Sequence, residues 1–126
     1  MKLTSSQMKY ILALWKLDRG DKIRCTDVAK ALRVKKPSVC GMLCRLENMG
    51  LITQDPYSDI RITEEGRKIM EECQRSVSAL AGLLARRLKL SETAAEEMAF
   101  LLLGNLDKPA LNEIMDRDRE LGVKNN

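Results

Sequence analysis

The 126-residue chain contains no histidine. That removes the commonest general base, the commonest transition-metal ligand and any Ser-His or Cys-His nucleophile pair. The seven glycines are scattered, so no glycine-rich loop is available to cradle a phosphate. The four cysteines, Cys25, Cys40, Cys44 and Cys73, show no CxxC spacing, which argues against a zinc-finger framework. With no catalytic constellation in view, the chain is not expected to be an enzyme. Aromatic residues are scarce, with one Trp, one Phe and two Tyr. The core must therefore come from aliphatic residues and Met, a composition that favours helix over sheet. No apolar run approaches the ~18 residues of a membrane span, and no charged-then-apolar leader with a cleavage site is visible. A cytoplasmic location with no membrane partner is the expectation.

Charge is abundant and unevenly placed. Residues 1–63 carry 12 Lys/Arg against 6 Asp/Glu, and residues 64–126 carry 10 against 12. A basic first half joined to a mildly acidic second half points to a polyanionic partner for the first half. On charge alone, an ordinary solvated surface accounts for the same numbers.

The stretch 34–50 gives the charge a shape. Val39, Met42, Leu43 and Leu46 fall at i, i+3, i+4 and i+7, the apolar stripe of a helix packed on a core. Pro37, Gly41, Cys44 and Asn48 point the other way, with Ser38, Cys40 and Arg45 on the flanks. Lys35 and Lys36 stand at the entry. A small, polar outer face with lysines at its mouth suits a DNA major groove, so this segment reads as a recognition helix.

The rest of the first half frames it. Thr4, Ser5 and Ser6 offer caps for a first helix, whose buried face is Met8, Ile11, Leu12 and Trp15. Tyr10, Leu14 and Leu17 widen that face, and Gly20 ends the helix. Ile23, Arg24 and Cys25 form a short extended piece. Thr26 then reads as the cap of a second helix with Val28, Ala29 and Leu32 inward, and Asp27 suits its dipole. Arg33, Val34 and Lys35 make a three-residue turn, and Pro37 sits in the first turn of the third helix. Two β-prone runs, 51–54 and 60–63, flank a turn containing Asp55, Pro56, Ser58 and Asp59, the pattern of a hairpin. Helix, helix, turn, helix, hairpin is the order of a winged helix-turn-helix. Arg61 and the tip residues Tyr57 and Ser58 can reach sugar-phosphate from the wing; Tyr57 can equally cover its own hairpin.

Beyond Thr63, which caps it, a long helix begins with Glu64 and Glu65 in its first turn. Gly66 permits close packing. Met70, Cys73, Val77, Leu80, Leu84 and Leu88 recur at spacings of three and four, a heptad-like seam. At about 25 residues the helix would be ~37 Å long. Its seam needs either a partner subunit or the chain's own last helices. Ser91 caps a fifth helix over 92–103 whose run from Phe100 to Leu103 is apolar nearly all round, so deep burial is expected. Asp107 caps a sixth helix with Pro109 in its first turn and Leu111, Ile114 and Met115 inward. The expected architecture is mostly α with a small β-hairpin. It comprises a winged helix-turn-helix domain over 1–63, a helical dimerisation domain over 64–122 and a frayed tail over 123–126.

These residues resemble a known family. The matching stretches are Tyr10-Ile11 with Leu14, Trp15 and Leu17, then Thr26 to Leu32, then Val34 to Val39. They continue with Leu46, Gly50, Leu51 and Ile52, and end with Ile62-Thr63-Glu64-Glu65-Gly66. Together they are similar to the bacterial metal-dependent repressors that include the diphtheria toxin repressor and the manganese transport regulator. The Thr-Glu-Glu-Gly run after a wing also recurs in other winged-helix repressors, including antibiotic-resistance regulators. The order of the later helices fits the metal-dependent family's dimerisation domain. The resemblance implies a homodimer on double-stranded DNA, but it fails where that family binds metal. Lys9 stands at the first-helix ligand position beside Met8, a poor substitute. Val77 and Ala81 stand where the long helix carries His and Glu. Phe100, Leu103 and Gly104 replace the fifth-helix ligands, leaving Glu96 alone. One carboxylate does not hold Fe²⁺ or Mn²⁺, which want several N/O donors. No metal and no other cofactor are expected.

Cys40 and Cys44 are i, i+4 on the recognition helix, with Cβ atoms ~5–6 Å apart where a disulfide needs about 3.5–4.5 Å. A bond between them would distort the helix. Either thiol is open to oxidation, since lysines and a helix N-terminus favour thiolate. The plainer reading makes Cys40 and Cys44 small groove-facing residues and Cys25 and Cys73 core. The expected function is a homodimeric, sequence-specific transcriptional regulator of repressor type, not activated by metal. Its DNA surface is Lys35, Lys36, Pro37, Ser38, Cys40, Gly41, Arg45 and Arg61. Its dimer seam is Met70, Cys73, Val77, Leu80, Leu84 and Leu88. Two alternatives remain: a winged-helix module that binds protein, because the first eight recognition-helix residues include no Asn, Gln or Arg, and a thiol-sensing regulator.

Overall fold

The structure, a computed structural model, describes residues 2–20, 22–56 and 59–124. The elements run α1 (Ser5–Leu17), β1 (Ile23–Arg24), α2 (Cys25–Leu32), α3 (Lys36–Asn48), β2 (Ile52–Gln54), β3 (Asp59–Ile62), α4 (Glu64–Leu88), α5 (Glu92–Asn105) and α6 (Lys108–Lys124). The fold is mostly helical with a small antiparallel sheet, a winged helix-turn-helix followed by helices. Tyr57 and Ser58, the expected wing tip, lie outside the described residues, as do Asn125 and Asn126. Among the described residues no helix is long and apolar enough to cross a membrane.

The chain divides into two compact units, one of residues 6–74 and the other of residues 75–124 with 2–5. The division falls inside α4, between Gln74 and Arg75, rather than at Glu64 where the sequence reading placed it. The first turns of α4 are built into the winged-helix unit. The Thr63 hydroxyl donates to the Gly50 carbonyl at 2.7 Å and accepts the Gly66 N–H at 2.9 Å, capping the helix. At Gly66 the helix lies directly on the backbone of Leu51, and a Cβ there would run into the Leu51 carbonyl. Arg67 bridges to Asp18 at 2.9 Å, and Met70 is fully buried.

Within the winged-helix unit, α1 buries Met8, Tyr10, Ile11, Leu12, Ala13 and Leu14, while Trp15 and Leu17 are half-buried. Thr26 is not the cap of α2. The helix starts two residues earlier than that cap implies, with extended Arg24 as its N-cap, and the Arg24 N–H donates to the Asp27 carboxylate at 3.1 Å. Strand β1 hands the chain straight to the helix, so Asp27, three residues in, reaches back to the orphan donor. The end of α2 is equally specific. Arg33 adopts φ 56°, and the Val34 N–H reaches the Ala29 carbonyl at 3.1 Å. This left-handed stop sets the sharp turn into α3.

The sheet has three strands in the order β1-β3-β2, not the two of a bare hairpin. Ile23 pairs with Ile60 and Arg24 with Asp59, while β2 pairs with β3 through Ile52–Ile62, Thr53–Arg61 and Gln54–Ile60. Ile23, Ile52 and Ile60 are buried and Arg61 is exposed, the alternation a half-buried sheet demands.

In the second unit, Ser91 caps α5 by accepting the Ala94 N–H at 3.2 Å, and Asp107 caps α6 by accepting the Ala110 N–H at 3.0 Å. The Ser5 hydroxyl donates to the Phe100 carbonyl at 2.8 Å, which ties residues 2–5 to this unit. Gly104 leaves the space that Ser5 occupies. Helix α5 is not buried all round. Ala95, Ala99 and Phe100 face inward, but Leu101 is 56% exposed. Successive residues turn by 100° on a helix, so four consecutive apolar residues cannot share one buried side. Helix α6 continues through Lys124, so residues 123 and 124, expected in the frayed tail, belong to it.

Candidate nucleic-acid interface

Helix α3 separates cleanly into two faces. Val39, Met42, Leu43 and Leu46 are buried, and Lys35, Lys36, Pro37, Ser38, Cys40, Gly41, Cys44 and Arg45 are exposed. The stripe spacing dictates this, since the four apolar residues anchor the helix and turn everything else outward. Lys35 is the N-cap in extended conformation, and its side chain makes no capping bond. The first turn therefore presents a helix N-terminus, with its partial positive charge, flanked by two ammonium groups and no acid. Around Gly41 no neighbouring atom lies within 4 Å of where a Cβ would stand. A surface pressed against the outer face can thus approach the backbone closely.

The cations differ in availability. Lys22 pairs with Asp59 at 3.2 Å and Arg67 with Asp18 at 2.9 Å. Among the described residues, Lys35, Lys36, Arg45 and Arg61 make no ion pair. They are exposed and keep their full charge for an external anion. The wing strand carrying Arg61 is held to α3 indirectly. Glu47, on the last turn of α3, accepts the Gln54 N–H at 2.9 Å and the Gln54 side-chain amide at 3.5 Å.

Two features at this surface escaped the sequence reading. A concavity of about 410 Å³ opens beside the first turns of α3, lined by Arg24, Cys25, Thr26, Lys36, Cys40, Gln54 and Asp59. Arg24 and Thr26 reach it because β1 pairs with β3, and a two-residue strand leaves no periodic signal. In the same place the sulfurs of Cys25 and Cys40 lie 3.7 Å apart. Spacing along one helix tests Cys40 against Cys44, but not a contact between two helices.

Of the six seam residues, Met70, Cys73, Val77, Leu80 and Leu84 are buried within the chain itself, and Leu88 is 55% exposed. Among the described residues, the exposed large apolar side chains of the second unit are Leu88, Leu101 and Leu121.

Residues 2–60 match the family described as iron dependent repressor, N-terminal DNA binding domain. Over its winged-helix half the chain is thus similar to the DNA-binding domain of the iron-dependent repressors. An uncharacterized HTH-type transcriptional regulator of Aeropyrum pernix is 28% identical over 116 residues, which is 81% of this chain and 64% of that protein. The transcriptional regulator MntR of Escherichia coli is 43% identical over 49 residues, 39% of this chain and 32% of that one. The solved structure of the manganese regulator SloR superposes with a TM-score of 0.70 at 20% identity, covering 97% of this chain and 54% of that chain. The chain thus spans less than two thirds of the Aeropyrum relative and about half of SloR.

The family name implies a divalent metal, and the residues present do not suit one. Val77 and Phe100 are buried apolar side chains, Leu103 is half-buried, and Glu96 is the one carboxylate at the corresponding positions. Among the described residues no group of three or more His, Cys, Asp or Glu is placed to hold a metal ion. A single oxygen ligand does not meet the needs of Fe²⁺ or Mn²⁺.

Proposed function

We propose that this protein is a homodimeric, sequence-specific DNA-binding transcriptional regulator of the repressor type whose DNA binding does not depend on a divalent metal. The observation that carries the reading is the outer face of α3: an uncapped helix N-terminus, two unpaired lysines and a small-residue surface continuing to Arg45. In this reading α3 enters the major groove. Lys35, Lys36 and Arg45 meet phosphates or guanine edges, and Pro37, Ser38, Cys40 and Gly41 line the groove. Arg61 adds a backbone contact from the wing. The iron-dependent repressor match over residues 2–60 and the regulator relatives support it. The exposed Leu88 and Leu101 support a partner subunit, which would space the two recognition helices by about one DNA turn, ~34 Å, or a multiple.

Selection of bound DNA from a random pool, run with Mn²⁺, with Fe²⁺ and with chelator, tests this directly. The expected result is one enriched palindromic motif with the same affinity in all three arms. Enrichment only with metal would refute the metal-independent part. No enrichment in any arm, with capture of a protein instead, would favour an interaction module.

A further inference from the structure

Cys25 is the first residue of α2 and is buried, and Cys40 lies one turn into the exposed face of α3. Their sulfurs are 3.7 Å apart across the junction of the two helices. A disulfide spans about 2.05 Å, so closure requires the sulfurs to approach by only about 1.7 Å. Cys40 is free to supply that motion, because its side chain borders the open concavity rather than the core. That concavity also admits a small solute to the thiol. The competing partner, Cys44, sits at i, i+4 on the same helix, a separation that a disulfide does not bridge without bending the helix.

We propose that Cys25 and Cys40 are a hydroperoxide-responsive thiol pair that closes to a reversible disulfide and clamps α2 to the recognition helix. The exposed Cys40 reacts first. Its sulfur attacks one peroxide oxygen, an S–O bond forms, the O–O bond breaks, and the departing alkoxide takes the thiol's proton to leave as an alcohol. The Cys25 sulfur then attacks the Cys40 sulfur. The S–S bond forms, the S–O bond breaks, and hydroxide leaves with the Cys25 proton as water. Two thiols have lost two electrons and two protons, and the hydroperoxide has become alcohol and water. The division of labour follows from environment. Burial, and then the hydrogen bond and charge of Cys40, push the Cys25 thiol up, with Lys36 offsetting part of the effect. Cys25 thus keeps its proton until the second step. The bond draws Cys40 away from the outer face and pulls the turn that carries Lys36 toward α2. This last consequence rests on the DNA-binding reading; the chemistry does not.

The test treats the full chain with hydrogen peroxide and, separately, cumene hydroperoxide, then maps disulfides by mass spectrometry of non-reduced peptides. The expected product is an intramolecular Cys25–Cys40 link, reversed by dithiothreitol and formed equally in Cys44→Ser. Cys25→Ser should instead accumulate Cys40 sulfenic acid, trapped by dimedone. A Cys40–Cys44 link, a link between two chains, or Cys40 oxidised beyond the sulfenic acid with Cys25 still free would overturn the proposal. Because Cys25→Ser alters a buried position, Cys25→Ala is measured beside it, and the wild-type peptide map stands without either variant. On the selected DNA, oxidation should weaken binding at least tenfold in the wild type and leave Cys25→Ala unchanged. A chain with the Cys25–Cys40 link that never binds DNA would refute the proposed function and leave the thiol chemistry standing.

Discussion

The carboxylate of Glu47 accepts the backbone N–H of Gln54 at 2.9 Å and so fastens the last turn of α3 to the edge strand of the wing. The bond fills a donor on a strand with no neighbour on that side. A hydrogen bond to a charged acceptor contributes about 1.5–3 kcal/mol, reduced here because Glu47 is only half-buried. Glu47→Ala is expected to lower unfolding stability by ~1–2 kcal/mol and to weaken DNA binding. Glu47→Gln, which keeps an acceptor, should recover most of both. Urea titration and gel shift on the same samples separate the two effects; an Ala variant with wild-type stability would show that the bond contributes nothing.

Gly66 has no room for a side chain. A Cβ there would meet the Leu51 carbonyl and stand 3.0 Å from the Leu51 Cα, both backbone atoms that cannot rotate away. Gly66→Ala should therefore destabilise the winged-helix unit by about 1–3 kcal/mol, the range for overpacking, despite the better helix propensity of Ala. Gly41→Ala is the control. Its Cβ enters open space, so stability should be unchanged or slightly higher while DNA affinity falls. A shifted urea midpoint in Gly66→Ala alone is the expected pattern.

Helix positions were legible in the sequence because their physics is local. The stripe Val39, Met42, Leu43, Leu46 and the caps Thr63, Ser91 and Asp107 all rest on residues within a few positions of each other, and each is found as read. What stayed hidden depends on pairing between distant segments. The extended piece at Ile23–Arg24 was readable, but its pairing with Ile60 and Asp59 was not, and the N-cap of α2 lies at Arg24 rather than Thr26. The Cys25–Cys40 contact is hidden for the same reason. At the candidate site, the exposed residues of α3 were readable from periodicity, whereas Arg24 and Thr26 arrive through the sheet. The seam along α4 shows the opposite failure. Its spacing is clear, but spacing does not distinguish a partner's core from the chain's own, and five of its six residues are buried within one chain.

The unpaired lysines can be weighed by counterion release. If Lys36 neutralises one phosphate, Lys36→Ala should flatten the slope of log K against log salt by about 0.9 and weaken all sequences alike. Lys22, which is paired with Asp59, should change the slope far less when replaced by Ala. Binding titrations at four or more salt concentrations check both. Equal slopes for the wild type and Lys36→Ala would place that lysine outside the interface.

Cys73 offers a test by pH. Burial, reinforced by Glu72, pushes its thiol up to about 11 from an ordinary 9.0. Between those values the unfolded chain loses this proton and the folded chain keeps it. Unfolding then releases protons, and stability falls as pH rises from about 9 to 11. Below pH 9 the contribution is fully present. Cys73→Ala should be less stable overall, because it opens a small cavity, but flatter with pH across that window. Urea midpoints at pH 8, 9, 10 and 11 read the difference, and parallel curves for the two proteins would remove Cys73 as the cause. The same burial predicts that iodoacetamide labels Cys40 and Cys44, both exposed, well before Cys73.

Leu101 decides between a partner subunit and a bare surface. Its neighbours Ala99 and Phe100 are buried, yet Leu101 itself is 56% exposed, one turn along the same face from exposed Glu97. If a second copy covers it, two-fold symmetry buries the residue twice, and each leucine contributes about 1.5–3 kcal/mol. Leu101→Glu should then weaken dimerisation by at least ~3 kcal/mol, more than a hundredfold in Kd. The side chain is exposed in the single chain, so the variant should keep its helical content and its monomer stability. Sedimentation velocity over a concentration series, with circular dichroism on the same samples, makes the comparison. Leu80→Ala behaves differently under the same model, because Leu80 is fully buried. It should lose about 2–5 kcal/mol of folding stability before any effect on assembly is seen. A Leu101→Glu protein that sediments as the wild type does would move the interface away from α5.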